Sequence, residues 1–312
     1  MPSAVSDRRL QHEATLEGLS LRPRQLPSAW LYDEQGSRLY EAVTRLPEYY
    51  LPRREAEILR ARAEALAERT RPRLLIELGA GGATNTRLLL DAFDALEEFV
   101  PFDVSESMLN ASAGQIAAAY PAVSVRPLVG NFERDLASLP RAGRRLIAFL
   151  SSTIGNLTPQ QRSHFLTALG ASLGGSDAFV VGLDLVKDVA RLEAAYNDDS
   201  GTTETFVRNA LSAVNADLGA TFDQARFAYE ARWDERNEWM EIGLRAKQAH
   251  EVSIPGLELD VTFEEGEFLR VEISAKFRRG AFAEELDRAG LRLESWWTDA
   301  ADDYAVALAF RG

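Results

Sequence analysis

Five apolar-rich runs, at residues 73–79, 98–104, 123–130, 145–152 and 177–186, recur along the chain with helix-like stretches among them. The fourth, "RLIAFLSS" (145–152), is apolar at nearly every position, as suits a strand buried on both faces. The stretches 84–96, 105–120 and 158–173 read as helices. The last opens with Thr158 as N-cap, Pro159 at the first helical position and Gln161 completing a capping box. Ser105 has the chemistry of an N-cap for the second. A charged amphipathic helix over 53–70 precedes them. Strand–helix alternation at this spacing predicts an α/β fold, a parallel sheet with helices on both faces.

After residue 187 the rhythm changes. Helical stretches at 187–197 and 203–218 lead into more polar strand-like segments at 225–232, 238–249, 257–264 and 268–277. These predict an antiparallel sheet with one solvated face. From 281 a helix and two strands, "LRLESWWT" (291–298) and "DYAVALAFRG" (303–312), return to the first sheet. The expected division is a Rossmann-like domain of 53–189 and 277–312. A second α+β domain of 1–52 and 190–276 would complete the substrate pocket.

Bulk properties narrow the partners. Hydrophobic content of 46% in 312 residues is enough for a sizeable core. The formal net charge of −13 repels nucleic acid and anionic membranes. Cysteine is absent, which removes thiolate metal sites and thiol nucleophiles and suits a cytoplasmic protein. The three histidines, His12, His164 and His250, lack metal-ligand spacing, so no metal is expected. No apolar leader and no apolar run of membrane-spanning length occurs, and a monomer acting on a small molecule is expected.

In an open parallel sheet, ligands bind at the carboxyl ends of the strands. The first strand ends in Glu77-Leu78-Gly79-Ala80-Gly81-Gly82. That spacing lacks the third glycine of the dinucleotide fingerprint. An E-x-G-x-G turn instead suits S-adenosylmethionine (SAM), where the backbone approaches the amino-acid part of the ligand. The second strand ends in Asp103, a carboxylate able to accept from both ribose hydroxyls. The third is followed by Gly130-Asn131-Phe132, an amide and an aromatic suited to an adenine edge and face. NAD remains the alternative ligand for such a turn.

"TRLPEYYLPRREAEIL" (44–59), "IELGAGGATNTRLLLDAF" (76–93), "VPFDVSESML" (100–109), "FLSSTIGNLTP" (149–159), "AYND" (195–198), "VEISAKF" (271–277) and "SWWTD" (295–299) follow one another along most of the chain. In these segments the chain resembles the SAM-dependent histidine Nα-methyltransferases of ergothioneine biosynthesis. The resemblance implies a class I methyltransferase domain with a second domain, and three methylations of the α-amine of L-histidine to give hercynine, without a metal. It implies that Glu272 and Ser274 recognise the imidazole, which a carboxylate and a hydroxyl two apart on a strand could do from one face. It implies that Asn156 and Tyr196 hold the carboxylate and amine end. Tyr49 would face the substrate and Tyr32 would lie near the reacting amine; the choice between Tyr49 and Tyr50 rests on alignment.

The chain departs from the family pattern at four places. Asn131 stands where an aspartate is common, Asn85 where a lysine is usual in the glycine loop, Ser151 where a glycine precedes "STIGN", and Ile242 where a methionine can line the imidazole pocket. With Gly79, Gly81, Asp103 and Phe132, the residues Asn85, Asn131 and Ser151 make up the expected cofactor set. Ile242 and Ser151 keep open a related N-methyltransferase of another aromatic amino acid such as tryptophan. A non-catalytic SAM-binding protein is the other alternative.

Overall fold

The computed structural model describes residues 4–81 and 85–312, so Gly82 of the glycine turn and the first residue of the helix expected over 84–96 lie outside the described residues. In chain order the elements begin with α1 (Ala4–Ser20), β1 (Arg24–Gln25) and α2 (Glu34–Val43). Then come α3 (Leu51–Thr70), β2 (Leu74–Leu78), α4 (Thr86–Leu90), β3 (Glu98–Asp103), α5 (Glu106–Ala119), β4 (Ser124–Val125) and β5 (Leu128–Val129). They are followed by β6 (Arg145–Phe149), α6 (Pro159–Ser172) and β7 (Ala178–Asp184). Next are α7 (Val189–Ala194), α8 (Thr202–Leu218), β8 (Phe227–Asp234), β9 (Trp239–Ala246), β10 (His250–Ile254), β11 (Leu259–Phe263) and β12 (Phe268–Ala275). The chain closes with α9 (Arg279–Arg288), β13 (Leu291–Thr298) and β14 (Tyr304–Arg311). Its contacts cluster into two compact units, 1–49 with 188–274 and 50–187 with 275–312.

The unit of 50–187 and 275–312 is the α/β fold that the alternation predicts. Its sheet runs β13-β14-β7-β6-β2-β3-β4, with β5 also paired to β3. Strands β2 to β7 pair in parallel, and β14 and β13 add an antiparallel edge. Every residue of β2, β6 and β7 is buried, which is why these strands read as continuous apolar runs. The predicted capping box of Thr158 and Gln161 is present at α6, with Pro159 at the first helical position. Ser105 occupies the N-cap of α5 without a side-chain cap bond; its own N–H is instead taken by Asp103 Oδ1 at 2.9 Å.

Two predicted elements of this unit differ. The single strand expected over 123–130 is split into β4 and β5, because Pro127 has no N–H for the ladder and interrupts it. The helix expected over 84–96 ends at Leu90, and the chain then turns so that Phe93 and Leu96 are both buried. Here tertiary burial overrides local helical preference.

One buried ion pair fixes how β6 and β7 begin. Arg145 donates to Asp177 Oδ2 from both Nε (2.9 Å) and a terminal nitrogen (2.6 Å), and Asp177 also accepts from the N–H groups of Arg145 and Gly174. Burial works against the charge, but these hydrogen bonds outweigh it and hold the carboxyl below its ordinary pKa. A depressed carboxylate contributes stability above its unfolded pKa and loses it as pH falls through the folded value. Asp177→Ala strands a buried guanidinium, so equilibrium urea unfolding at pH 7 should show a loss of about 3 kcal/mol.

The other unit is built differently. Its main sheet has the order β1-β12-β9-β8, with β8 and β9 an antiparallel hairpin and β1 parallel to β12. Strands β10 and β11 form a separate antiparallel ribbon, so the segment expected as one strand over 238–249 ends at Ala246 and a strand unforeseen in the sequence follows. The ladder ends after Lys247, whose N–H still donates to the Arg226 carbonyl while Arg226 N–H turns to the Asp223 carbonyl. The helical stretch expected over 187–197 is the shorter α7, started by the Asp188 side chain accepting from Arg191 N–H. Helices α1 and α2 are further additions. Among the described residues no helix is long and apolar enough to cross a membrane.

Candidate functional site

Strand β2 delivers the glycine turn at its carboxyl end. Gly79 (φ +65°) and Gly81 (φ +45°) both occupy the left-handed region that glycine adopts without steric cost. The N–H groups of Gly79 and Ala80 reach the Phe102 carbonyl on the neighbouring β3, at 2.8 and 3.3 Å. Asp103, the last residue of β3, accepts from Gly81 N–H through Oδ2 (3.0 Å) and from Ser105 N–H through Oδ1 (2.9 Å). Each oxygen keeps acceptor capacity beyond that bond. After β5, Gly130 lies so close to Phe102 that a Cβ there would be 2.6 Å from the ring.

Phe132 packs with Phe149 at a centroid distance of 4.8 Å and half-buries its ring. Asn131 sets the turn: its N–H donates to Asp135 Oδ2, and its Oδ1 accepts from Glu133 N–H, both at 2.8 Å. A second lone pair remains on that oxygen. Beyond β6, Ser151 (φ +60°) and Ser152 (φ +55°) are consecutive non-glycine residues in the left-handed region. Such strain clusters at ligand sites. The turn Thr153–Asn156 follows, carrying Asn156, and a Cβ at Gly155 would be 2.9 Å from the Ala275 carbonyl. The structure thus gathers Gly79, Gly81, Asp103, Asn131, Phe132, Ser151 and Asn156 at the carboxyl ends of parallel strands within one unit.

Asn85 begins the segment that leads into α4. Its amide nitrogen donates to Glu55 Oε2 (2.8 Å) and to the Pro52 carbonyl (3.2 Å), so it is turned to protein partners. The next residue, Thr86, donates its hydroxyl to buried Glu77. Burial pushes the carboxyls of Glu55, Glu77 and Asp103 upward, Glu77 to about 8, with Glu55 and Asp103 adding repulsion at Glu77. Among the described residues none of the three has an ion-pair partner. Glu55 and Glu77 are buried and Asp103 is half-buried around the glycine turn, and whichever of these acids is ionised there favours a cationic ligand, which the sulfonium and ammonium of SAM would supply.

The raised Glu77 has a consequence for stability. Between its ordinary 4.5 and about 8 the folded state holds a proton that the unfolded state has lost, so stability falls as pH rises through that window. Every pH step of one across that window costs about 1.4 kcal/mol. Glu77→Gln keeps an acceptor for Thr86 and removes the titration. Urea unfolding should place the variant close to the wild type at pH 5 and more stable by several kcal/mol at pH 8.5; equal slopes of stability against pH would refute the assignment.

The other unit holds the second group of predicted residues. Glu272 and Ser274 stand two apart on β12 and so share a face. Tyr32 donates to Glu272 Oε1 at 3.2 Å, and Tyr196 donates to Ser274 Oγ at 2.8 Å. Tyr49 meets Tyr196 edge-to-face at 5.9 Å. Its hydroxyl is pushed well above the ordinary tyrosine pKa, by burial and then by the facing Tyr40 and Tyr196, so it stays a neutral donor. Ile242 is 1% exposed on β9, the strand beside β12.

Tyr50 has a different setting within its own unit. Its hydroxyl lies 2.9 and 3.0 Å from the two carboxylate oxygens of Asp184 and accepts from Lys187 Nζ at 2.6 Å. Three further residues carry no mark in the sequence reading. Tyr40 and Phe206 each lie 5.7 Å from the Tyr32 ring, and Tyr229 donates to the Tyr196 carbonyl at 2.5 Å. Tyr40 is the single aromatic of α2, which is its one available sign; Phe206 and Tyr229 arrive from distant segments and carry no local sign. No cluster of metal-ligating side chains occurs among the described residues.

A family model described as histidine-specific methyltransferase, SAM-dependent, matches residues 11–311. A curated histidine N-alpha-methyltransferase from Mycobacterium tuberculosis is 47% identical over 295 residues, covering 94% of this chain and 92% of that protein. One of the same name from Mycolicibacterium smegmatis is 44% identical over 297 residues, with the same coverage of both chains. Among solved structures, a S-adenosylmethionine-dependent methyltransferase from Clostridium acetobutylicum superposes with a TM-score of 0.51 at 9% identity, over 88% of this chain and 98% of that one. That likeness speaks for the fold alone.

Proposed function

The chain belongs to the family of SAM-dependent, histidine-specific methyltransferases, and we propose that it methylates the α-amine of L-histidine three times, giving hercynine on the route to ergothioneine. The observation that carries the substrate reading is the Glu272–Ser274 pair, each member held by a tyrosine. An imidazole has one ring N–H to donate and one ring nitrogen to accept. A carboxylate and a hydroxyl on one strand face answer both, and Tyr32 and Tyr196 fix their orientation. Tyr49, kept neutral, offers a donor in the same unit. Ile242 contributes apolar surface on the adjacent strand.

On the cofactor side, Asp103 would take the ribose hydroxyls, Asn131 and Phe132 the adenine, and Gly79, Gly81 and Ser151 the amino-acid part. SAM supplies an electrophilic methyl group on a sulfonium that leaves readily as S-adenosylhomocysteine. The chain's own task is alignment and exclusion of competing contacts. The α-amine must shed a proton before each attack, and with each methyl it loses a hydrogen-bond donor. Successive rounds therefore demand that the substrate be gripped away from the nitrogen. Glu272 and Ser274 do this at the imidazole, and Asn156 is assigned to the carboxylate. No metal enters this chemistry.

Mass spectrometry of purified protein with SAM and L-histidine, beside tryptophan and other amino acids, tests the reading. Stepwise mono-, di- and trimethylhistidine is the expected result. Methylation of a different amino acid alone would overturn the substrate. SAM binding without any methylated product would overturn catalysis.

A further inference from the structure

One buried carboxylate of the cofactor unit has no role in the cofactor or substrate set described above. Glu55, on the second turn of α3, is fully buried. Its Oε1 accepts from Ser151 N–H at 2.7 Å and from the Tyr304 hydroxyl at 2.8 Å, and its Oε2 accepts from Asn85 at 2.8 Å. One side chain thus fastens two separate segments: the exit of the glycine turn, at Asn85, and the left-handed strand end after β6, at Ser151. Both segments belong to the SAM-facing set; Glu55 itself does not.

The surroundings are built around this side chain. A Cβ at Gly182 on β7 would stand 2.2 Å from Glu55 Oε1 and 2.3 Å from the Tyr304 hydroxyl, so only glycine leaves room for the pair. Asn85 also donates to the Pro52 carbonyl, three residues before Glu55 on the same helix, so α3 holds the turn at two points. At Asn85 the chain uses a neutral amide as the donor to a buried acid. A buried carboxylate with three donors and no ion-pair partner among the described residues is costly in an apolar interior, and its retention asks for a role.

The geometry points to Glu55 as a positioning residue for SAM, acting through Asn85 and Ser151 to hold the glycine turn and the β6 end in one binding-competent arrangement. The inference rests on the SAM reading above. It goes further in assigning Asn85 an indirect role: this amide shapes the turn through Glu55 in place of contacting the cofactor.

Calorimetric titration of SAM into wild type, Glu55→Gln, Asn85→Ala, the double variant and Tyr304→Phe separates the possibilities. Gln can keep one acceptor, but its amide nitrogen then confronts an existing donor; if that is Asn85, the Asn85 amide must flip and give up Pro52. SAM affinity is expected to fall about 10-fold or more in Glu55→Gln and in Asn85→Ala. The double variant should fall no further than the worse single one, because both break the same link. Tyr304→Phe removes a donor from the same carboxylate without touching either SAM-facing segment. It should lower the melting temperature while leaving SAM affinity within about 3-fold.

Wild-type affinity in Glu55→Gln, or additive losses in the double variant, overturns the proposal. So does an equal loss of affinity in Tyr304→Phe, which would make Glu55 a stability residue only. Should Glu55→Gln fail to fold, Asn85→Ala decides alone, and its retention of affinity is a refutation. Absence of SAM binding by the wild type would instead bring down the functional reading itself.

Discussion

Glu272→Ala loses histidine methylation, on the order of 10³-fold or more in kcat/KM, while its affinity for SAM is that of the wild type. The expectation follows from how polar recognition fails. A site built to hydrogen-bond a substrate group rejects or releases it when the partner is gone, since the group is left dehydrated and unpaired. Glu272 is also the acceptor for Tyr32, so the alanine variant frees a second polar group beside the substrate. Glu272→Gln separates the two contributions. It retains an acceptor for Tyr32 and the shape of the side chain, and loses the charge and one acceptor oxygen. Its deficit should therefore be smaller, about 10- to 100-fold. Steady-state kinetics with a separate SAM titration measures both. Histidine turnover undiminished in Glu272→Ala would refute the imidazole assignment; a matching loss of SAM binding would mean that the variant is simply misfolded. If Glu272→Ala instead gained activity on tryptophan, the specificity role of this carboxylate would stand, with Ile242 supplying the apolar surface that such a ring needs.

What is legible in the sequence is whatever has a local signature. Glycines that take left-handed φ, an acid at the end of the next strand and the capping box of α6 are all short-range features, and parallel strands bring their carboxyl ends to one edge by construction. The Tyr32–Glu272 and Tyr196–Ser274 bonds are another matter. Their partners are separated by 240 and 78 residues, so nothing in periodicity or spacing joins them, and only the resemblance to a family singles them out. Tyr229 escapes notice because it reads as an ordinary strand aromatic. Strand β1, at two residues, is too short to leave a pattern and exists because it pairs with β12. Glu55 does leave a trace. Leu51, Ile58, Leu59 and Leu66 form the buried stripe of α3, and Glu55, one turn after Leu51, falls inside that stripe. A charge within a buried stripe is the sign of a carboxylate with dedicated donors, but the many other charges of "LPRREAEILRARAEAL" hide it.

The second large effect is expected at Asp103. Asp103→Ala should weaken SAM binding about 100-fold or more, and should weaken S-adenosylhomocysteine by the same factor, because the ribose is common to both. The carboxylate is assigned two tasks that fail together. It ties Gly81 N–H, and with it the glycine turn, to the end of β3, and it keeps acceptor capacity for the ribose hydroxyls. Hydrogen bonds to a charged group contribute about 1.5–3 kcal/mol each, so two of them account for a loss of this size. The equal effect on both ligands is the discriminating part. Glu77, beneath the glycine turn, would bear on the ligand only through charge and should favour the sulfonium over its neutral product as pH rises toward about 8, where its proton is lost. Asp103 acts by hydrogen bonding to a moiety that never changes charge. Parallel titrations of the two ligands into Asp103→Ala settle the matter. Affinity within about 3-fold of the wild type would remove Asp103 from the ribose. A loss confined to SAM would move its role from the ribose to the sulfonium, and Asp103 would then join Glu77 as part of the charge that receives a cation.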